Sequence, residues 1–305
     1  EPSEEEREYR LIDNVCADSA AKVKAGGRMR IGFIGAGRVG FTFGKYLVER
    51  DMCVSGYYSR NRNSSKEAAA FTKTKYYETI EELVKVSDTL ILIREVYSKV
   101  IESDIEGKIL CHCSGMLSSE VFSGIRERGA FGYSVHPIYA VSDRLTSYQG
   151  FSRAYFTIEG DERRLQELKD MIASLGNPVE IIRLEAKARY HGAAVFASNF
   201  VAGIYDCAKE LLLSCGLSAG FAENALRSLF LDGAKNIADF GVEAALTGPV
   251  ERADLETVQS HLGALSGEER EIYRLLSKRL IKIAERKNPD RDYGGFVQAL
   301  REKSF

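Results

Sequence analysis

No stretch of the 305 residues holds the roughly 18 consecutive apolar residues that a membrane-spanning helix requires. Charge of one sign is not in excess either, since 42 Lys and Arg face 44 Asp and Glu for a formal net charge of −2. So balanced a chain presents no basic field to nucleic acid or to an anionic membrane, and neither partner is expected. Prolines are few, at five, and a composition of 45% hydrophobic and 28% charged residues is that of a soluble globular protein. The acidic first residues lack the basic and apolar regions of a secretory signal, so none is expected. The six cysteines are scattered, several inside apolar runs, which suits reduced thiols in a cytoplasmic protein better than a disulfide framework. Cys111-His112-Cys113 has no second cysteine pair at ligand spacing. On a strand its two cysteines face one way and its histidine the other, so no metal is expected.

What the chain does have is a glycine turn set between a strand and a helix. Residues 29–34 form a short apolar run, broken at Gly35 and followed by an amphipathic run over residues 38–49. Gly35-Ala36-Gly37-Arg38-Val39-Gly40 fits G-x-G-x-x-G in the context that gives that pattern its meaning. Gly35 suits the tight turn, Gly37 leaves room for a pyrophosphate, and Gly40 allows close helix–strand packing. The N–H groups at the helix start would face the phosphates. A dinucleotide is therefore the expected ligand of this turn.

Further strands are expected over residues 52–58, 89–93, 108–113, 130–135, 154–158 and 178–184. Helices are expected from Ser64 and from Thr79, and over residues 161–175. Alternation at this spacing implies α/β architecture with a doubly wound, mostly parallel sheet. From about Glu185 the pattern is helical only. The longest expected helix covers residues 186–215, apolar on most faces and capped by Gly216, and others cover 218–240, 254–265, 268–286 and 291–303. The expected organisation is a polar leader at residues 1–28, a Rossmann domain at 29–184 and an all-α domain at 185–305.

In NAD-selective Rossmann folds a carboxylate about 20 positions beyond the glycines binds the ribose hydroxyls. Here that place is held by Ser59 and Arg60, with Arg62 nearby and no carboxylate. Arg38, opening the first helix, is a further candidate. Residues that donate to a 2′-phosphate rather than repel it make NADP(H) the expected cofactor, although a solvated basic loop would have the same composition.

Each of the four histidines admits two roles. His112, at the carboxyl end of a strand where open α/β sheets bind ligands, either lines the cofactor or satisfies a backbone carbonyl. His136, expected just past a strand and before Pro137, either reaches substrate or caps a turn. His191, near the start of the long helix, is a proton donor or a buried core histidine. His261, one turn beyond Thr257, is of the second domain's site or its packing.

Taken together, Gly35-x-Gly37-x-x-Gly40, His112-x-Ser114-Gly115, His136-Pro137, Tyr190-His191 with Ser198-Asn199, and Leu246-Thr247-Gly248-Pro249-x-x-Arg252-x-Asp254-x-x-Thr257-x-x-x-His261-Leu262 come in a familiar order. The chain resembles poorly characterised Rossmann-like oxidoreductases of the coenzyme F420-dependent NADP oxidoreductase type, relatives of ketopantoate reductase and 6-phosphogluconate dehydrogenase. The resemblance spans roughly residues 29–265. It implies an N-terminal Rossmann domain, a helical C-terminal domain through which members commonly dimerise, and a cleft holding nicotinamide and substrate. Ser114 and His136 also match the serine and His-Pro spacing of prephenate dehydrogenases. In 6-phosphogluconate dehydrogenase relatives a lysine and an asparagine one turn apart do the acid–base work. Here Lys187 is followed one turn later by His191. Arg94-Glu95 departs from the uncharged residue and proline usual in relatives.

The expected activity is NADP(H)-dependent reduction of a small carbonyl compound, of the 2-oxo acid class if the ketopantoate likeness extends to substrate. His191 or His136 would protonate the developing alkoxide, with Lys187 as a further acid–base candidate. Ser114 and Asn199 would hold the carbonyl oxygen, and Arg252, with Thr247 and Gly248, would receive the substrate. Two other readings stand beside it: a sensor that binds NADP(H) without turnover, and an F420-linked NADP oxidoreductase.

Overall fold

A computed structural model describes residues 29–93 and 97–300. The polar leader, the Arg94-Glu95 pair and the last three residues of the expected C-terminal helix lie outside the described residues. By internal contacts the chain divides into two compact units, one ending at Ser198 and one beginning at Asn199.

The first unit alternates as expected. β1 (Ile31–Ile34), α1 (Arg38–Val48), β2 (Val54–Tyr58), α2 (Arg62–Thr72), β3 (Lys75–Tyr76) and α3 (Ile80–Val86) come first. β4 (Thr89–Leu92), α4 (Tyr97–Val100), β5 (Ile109–His112), β6 (Phe131–Ile138), β7 (Tyr155–Gly160), α5 (Leu165–Ser174), β8 (Val179–Ile181) and α6 (Lys187–Ala197) complete it. The strands form one sheet in the order β3-β2-β1-β4-β5-β6-β7-β8, parallel throughout except between β6 and β7. The inner strands β1 and β4 are buried at every position because helices cover both faces. One face carries the aromatic cluster of Phe33, Phe41, Phe43, Tyr57, Phe151 and Phe156. The other carries Ile34, Leu83, Leu90, Leu92, Leu110 and Phe122.

Local signals account for the helix starts. Thr79 and Glu82 form a reciprocal capping box on α3, and Asn61 Oδ1 accepts from the Asn63 and Ser64 amides to open α2.

Two expectations are corrected. His136 lies inside β6, not beyond it, and the strand runs on through Pro137 to Ile138. Proline is tolerated there because β5 pairs with β6 only as far as Ser134, so the missing N–H interrupts no ladder on that side. The long helix is two helices, α6 and α7 (Asn199–Ser214), broken at Ser198, whose φ of −133° and ψ of −73° are not helical.

The second unit holds α7, α8 (Ala219–Ala245), α9 (Leu255–Ala264), α10 (Gly267–Lys287) and α11 (Gly294–Ala299). α8 is thus the longest helix described, and it leaves helical geometry at Gly241, where φ is +81°. The core of this unit, Val250, Val258, Leu262, Ile281, Ala284, Tyr293, Phe296 and Leu300, draws on neither α7 nor α8. α7 buries no residue and α8 only Ala222, although both are rich in large apolar side chains.

Candidate functional site

The glycine turn is built as the sequence implies. Gly35 has φ of +116°, and its amide donates to the Tyr58 carbonyl at 2.7 Å, tying the turn to the end of β2. A Cβ on Gly40 would lie 2.6 Å from the Gly35 carbonyl oxygen, so any other residue would push α1 away from the turn. Gly37, the N-cap of α1, offers no side chain to the helix start. A cleft of about 520 Å³ opens there, lined by Gly35, Ala36, Gly37, Ser59, Arg60, Asn61 and Ser64. Bare glycine backbone at one end and hydroxyl, amide and guanidinium donors at the other suit a dinucleotide with a phosphorylated ribose. Arg38 is exposed and Val39 half-buried on the first turn of α1. Arg62 is engaged in an ion pair with Glu78.

Arg60 also borders a second cleft of about 830 Å³ across the carboxyl ends of β4 and β5, together with Ile93, Tyr97, His112, Ser114 and Leu117. Its place is where open α/β sheets receive ligands. His112 has both ring nitrogens engaged. Nδ1 accepts from the Ser114 amide at 3.2 Å, so the proton is on Nε2, which donates to the Ser118 carbonyl at 3.0 Å. Burial accordingly holds its pKa below the ordinary histidine value. His112 shapes the cleft wall as a neutral ring.

The chemistry-bearing residues gather on one face of β5, β6 and β7. Opposed residues of paired strands point the same way, and His112 lies opposite Ser134, Ser134 opposite Glu159, and His136 opposite Thr157. Their neighbours Cys111, Tyr133, Val135, Phe156 and Ile158 face the aromatic core instead. Over this polar face α6 brings Lys187, Tyr190 and His191. The Lys187 ammonium, 3% exposed, donates to Ser134 Oγ at 2.6 Å and to the Ser114 carbonyl at 3.1 Å. Burial lowers its pKa, against the opposing pull of Glu159 and Cys113. Ser114 Oγ accepts from the Leu117 amide at 3.1 Å.

His136 Nδ1 and the Tyr190 hydroxyl share a hydrogen bond of 2.6 Å. Burial, reinforced by the positive field of Lys187, pushes His136 down to about 4, so its ring is neutral near pH 7. Burial raises the Tyr190 hydroxyl. His136 Nε2 and His191 Nδ1 converge on Gly115, where a Cβ would lie 2.9 Å and 2.6 Å from them. His191 Nδ1 is buried and has no hydrogen-bond partner within the described residues. Burial keeps Cys113 protonated, pushed up to about 12, and raises Cys111 well above its usual range. Neither is thereby a thiolate nucleophile at neutral pH.

The first unit thus brings together His112, Ser114, His136, Lys187 and His191. Asn199, Thr247, Gly248 and Arg252 belong to the second unit. There the Arg252 amide donates to the Gly248 carbonyl at 3.1 Å, and Gly248 takes φ of +98°. His261 Nδ1 shares a 2.8 Å hydrogen bond with the Tyr273 hydroxyl in the same unit. Ser134, Glu159 and Tyr190 did not stand out as site residues from the sequence. The signal was the strict alternation of Tyr133-Ser134-Val135-His136 and Phe156-Thr157-Ile158-Glu159, whose polar members share one face.

Residues 15–137 match the Rossmann-like domain family, and residues 154–280 match a domain of unknown function, DUF2520. The two matches follow one another along the chain, a Rossmann-like region first and a DUF2520 region after it. Among solved structures, this Rossmann-like chain is similar to protein TM1727 from Thermotoga maritima, at 27% identity and TM-score 0.67 over 85% of this chain and 99% of that one. It is similar also to BF3122 from Bacteroides fragilis, provisionally named an NADP oxidoreductase, at 24% identity and TM-score 0.63 over 83% and 98%. A reductive aminase from Aspergillus terreus, solved with NADPH and ethyl-5-oxohexanoate, shares the fold at 14% identity and TM-score 0.56 over 90% and 99%. No curated protein matches the chain.

Proposed function

We propose that this protein is an NADP(H)-dependent oxidoreductase that reduces a small carbonyl compound, with 2-oxo acids as the first class to try. The observation that carries the reading is one unit holding two things: a glycine turn with a carboxylate-free, basic β2 end, and a buried lysine–histidine–tyrosine cluster. A nucleotide sensor needs the first and has no use for the second. The NADPH-bound fold relative and the provisionally named NADP oxidoreductase support the same cofactor and reaction class.

Gly35, Gly37 and the start of α1 would hold the pyrophosphate, and Ser59 and Arg60 the 2′-phosphate. Bound NADPH supplies the hydride that goes to the carbonyl carbon. The chain's own residues must then deliver a proton to the oxygen. Lys187 is a buried N–H donor whose acidity burial raises, and His136, paired with Tyr190, is a neutral ring able to pass a proton. His191, with its unengaged Nδ1, can bond the substrate oxygen, and the Ser114 hydroxyl can donate beside it. Asn199, Arg252, Thr247 and Gly248 are proposed as contacts from the second unit, with Arg252 for a substrate carboxylate. We further infer that the chain works as a homodimer joined through α7 and α8, the two helices that bury almost none of their apolar side chains.

The test is NADPH oxidation followed at 340 nm against a panel of 2-oxo acids, aldehydes and oxidised F420. Turnover with a carbonyl compound is expected, and Lys187→Met should lower kcat by about 100-fold or more while NADPH affinity holds. Arg60→Ala should weaken NADPH binding at least about 10-fold and leave NADH binding unchanged. NADPH binding without turnover on any substrate would favour the sensor. Equal affinity for NADH and NADPH would sink the phosphate assignment.

A further inference from the structure

The polar sheet face contains one acidic residue that the reaction above does not use. Glu159 on β7 is 4% exposed, and its carboxylate accepts from the Ser119 amide at 2.8 Å and the Ser119 hydroxyl at 2.6 Å. It lies directly opposite Ser134, whose Oγ receives the Lys187 ammonium. It is therefore on the same face as that ammonium and one residue pair from it. A carboxylate taken out of water at this depth is costly unless a cation compensates it.

The groups facing Lys187 leave Glu159 as the compensating charge. β5 and the loop after it present His112, neutral by its hydrogen bonds, and Cys113, a protonated thiol. β6 presents His136, neutral near pH 7. α6 itself presents Tyr190 and His191. From the cavity beside Glu159, Asp161 is already paired with Arg126 and Arg163. Glu120, Arg183 and Glu185 also line that cavity. Both Lys187 and His112 feel the negative field of Glu159 as a pull toward their protonated forms.

We propose that Glu159 is a positioning residue for the reaction: the buried counter-charge that keeps Lys187 an ammonium ion and so keeps the proposed proton donor loaded. This rests on the oxidoreductase reading for its purpose, and on the Lys187–Ser134–Glu159 arrangement for its substance. Ser119 fixes the carboxylate, β6–β7 pairing fixes its distance from Ser134, and the first turn of α6 fixes the ammonium. Without the carboxylate, burial acts on Lys187 with only the weaker pull of Cys113 against it, and the amine loses its proton at lower pH.

The pair is tested in the full chain without substrate by following the Lys187 side chain with 13C-lysine NMR across pH. Glu159→Gln should move its titration midpoint to lower pH by about one unit or more, and Glu159→Asp should restore most of the difference. A midpoint unmoved by Glu159→Gln in a folded protein overturns the proposal. Should Glu159→Gln fail to fold, the double variant Glu159→Gln/Lys187→Met decides. Recovery of a cooperative thermal transition supports the pairing, because neutralising both partners removes the uncompensated charge, and failure to recover overturns it. Once a substrate is in hand, the alkaline limb of kcat should move down in Glu159→Gln with KM for NADPH unchanged. An intact midpoint shift in a protein that turns over no substrate would leave the pair standing and remove the enzymatic reading alone.

Discussion

His136 shows how one side chain couples the site to the stability of the unit around it. Its ordinary value of 6.5 is pushed to about 4 by burial and by the Lys187 ammonium. Between those values the unfolded chain binds a proton that the native site refuses, so stability falls as pH is lowered through that window. Urea denaturation at pH 7 and pH 5 should show the wild type losing more stability than His136→Gln, which lacks the titrating ring. Equal losses would mean that the ring is not held neutral. His112 and His136 were both visible in the sequence, but their difference was not. Which nitrogens are engaged depends on Ser114, Ser118 and Tyr190, two of them local and one brought by a distant helix. Glu159 was invisible for the same reason: only strand pairing puts it opposite Ser134. Gly115 stands in the sequence only as the end of the His112-x-Ser114-Gly115 motif, while in space its missing Cβ is what lets two imidazoles meet.

At the scale of elements, the starts of helices were easier to read than their ends. Thr79 with Glu82, Asp254 with Thr257, and Ser218 all cap the helices that their sequence context implies. The break at Ser198 was hidden because residues on both sides continue one apolar helical pattern, and nothing local marks the stop. The antiparallel β7 was likewise unmarked, since alternation looks the same in either direction. α2 is capped by Asn61, which also lines the cleft beside the glycine turn. Asn61→Ala should therefore do two things at once. It should cost about 1 kcal/mol in chemical denaturation and weaken NADPH binding in a fluorescence titration, by loosening the helix start that positions Ser64. Loss of stability with binding unchanged would separate the cap from the cofactor site.

For the whole molecule, α7 and α8 are the feature that one chain does not explain. Leu229 is 72% exposed and Phe240 68%, and Phe200, Phe221, Leu231 and Ile237 are exposed with them. Large exposed apolar surface of this kind marks an interaction site. A second copy is the occupant we expect, so the wild type should sediment at twice the 33.9 kDa of one chain, and Leu229→Asp should shift it toward the monomer. A wild type that sediments as a monomer would end that reading. The apolar circumference of the stretch that forms α7 was legible in sequence, and that of α8 was not; what surrounds them is a property of the assembly rather than of the fold.

The alternating register of β6 and β7 has a last consequence, for how the molecule tolerates change. The pairing that turns Tyr133, Val135, Phe156 and Ile158 into the dry core is the same pairing that turns Ser134, His136 and Glu159 toward Lys187. A slip by one residue would exchange the two sets, burying charge where aromatics belong, so such a chain would not fold at all. Drift that leaves these two strands folded therefore leaves the reactive face pointing the right way. Novelty in this protein has room to arise by exchanging the side chains on that face, while their aim is inherited unaltered.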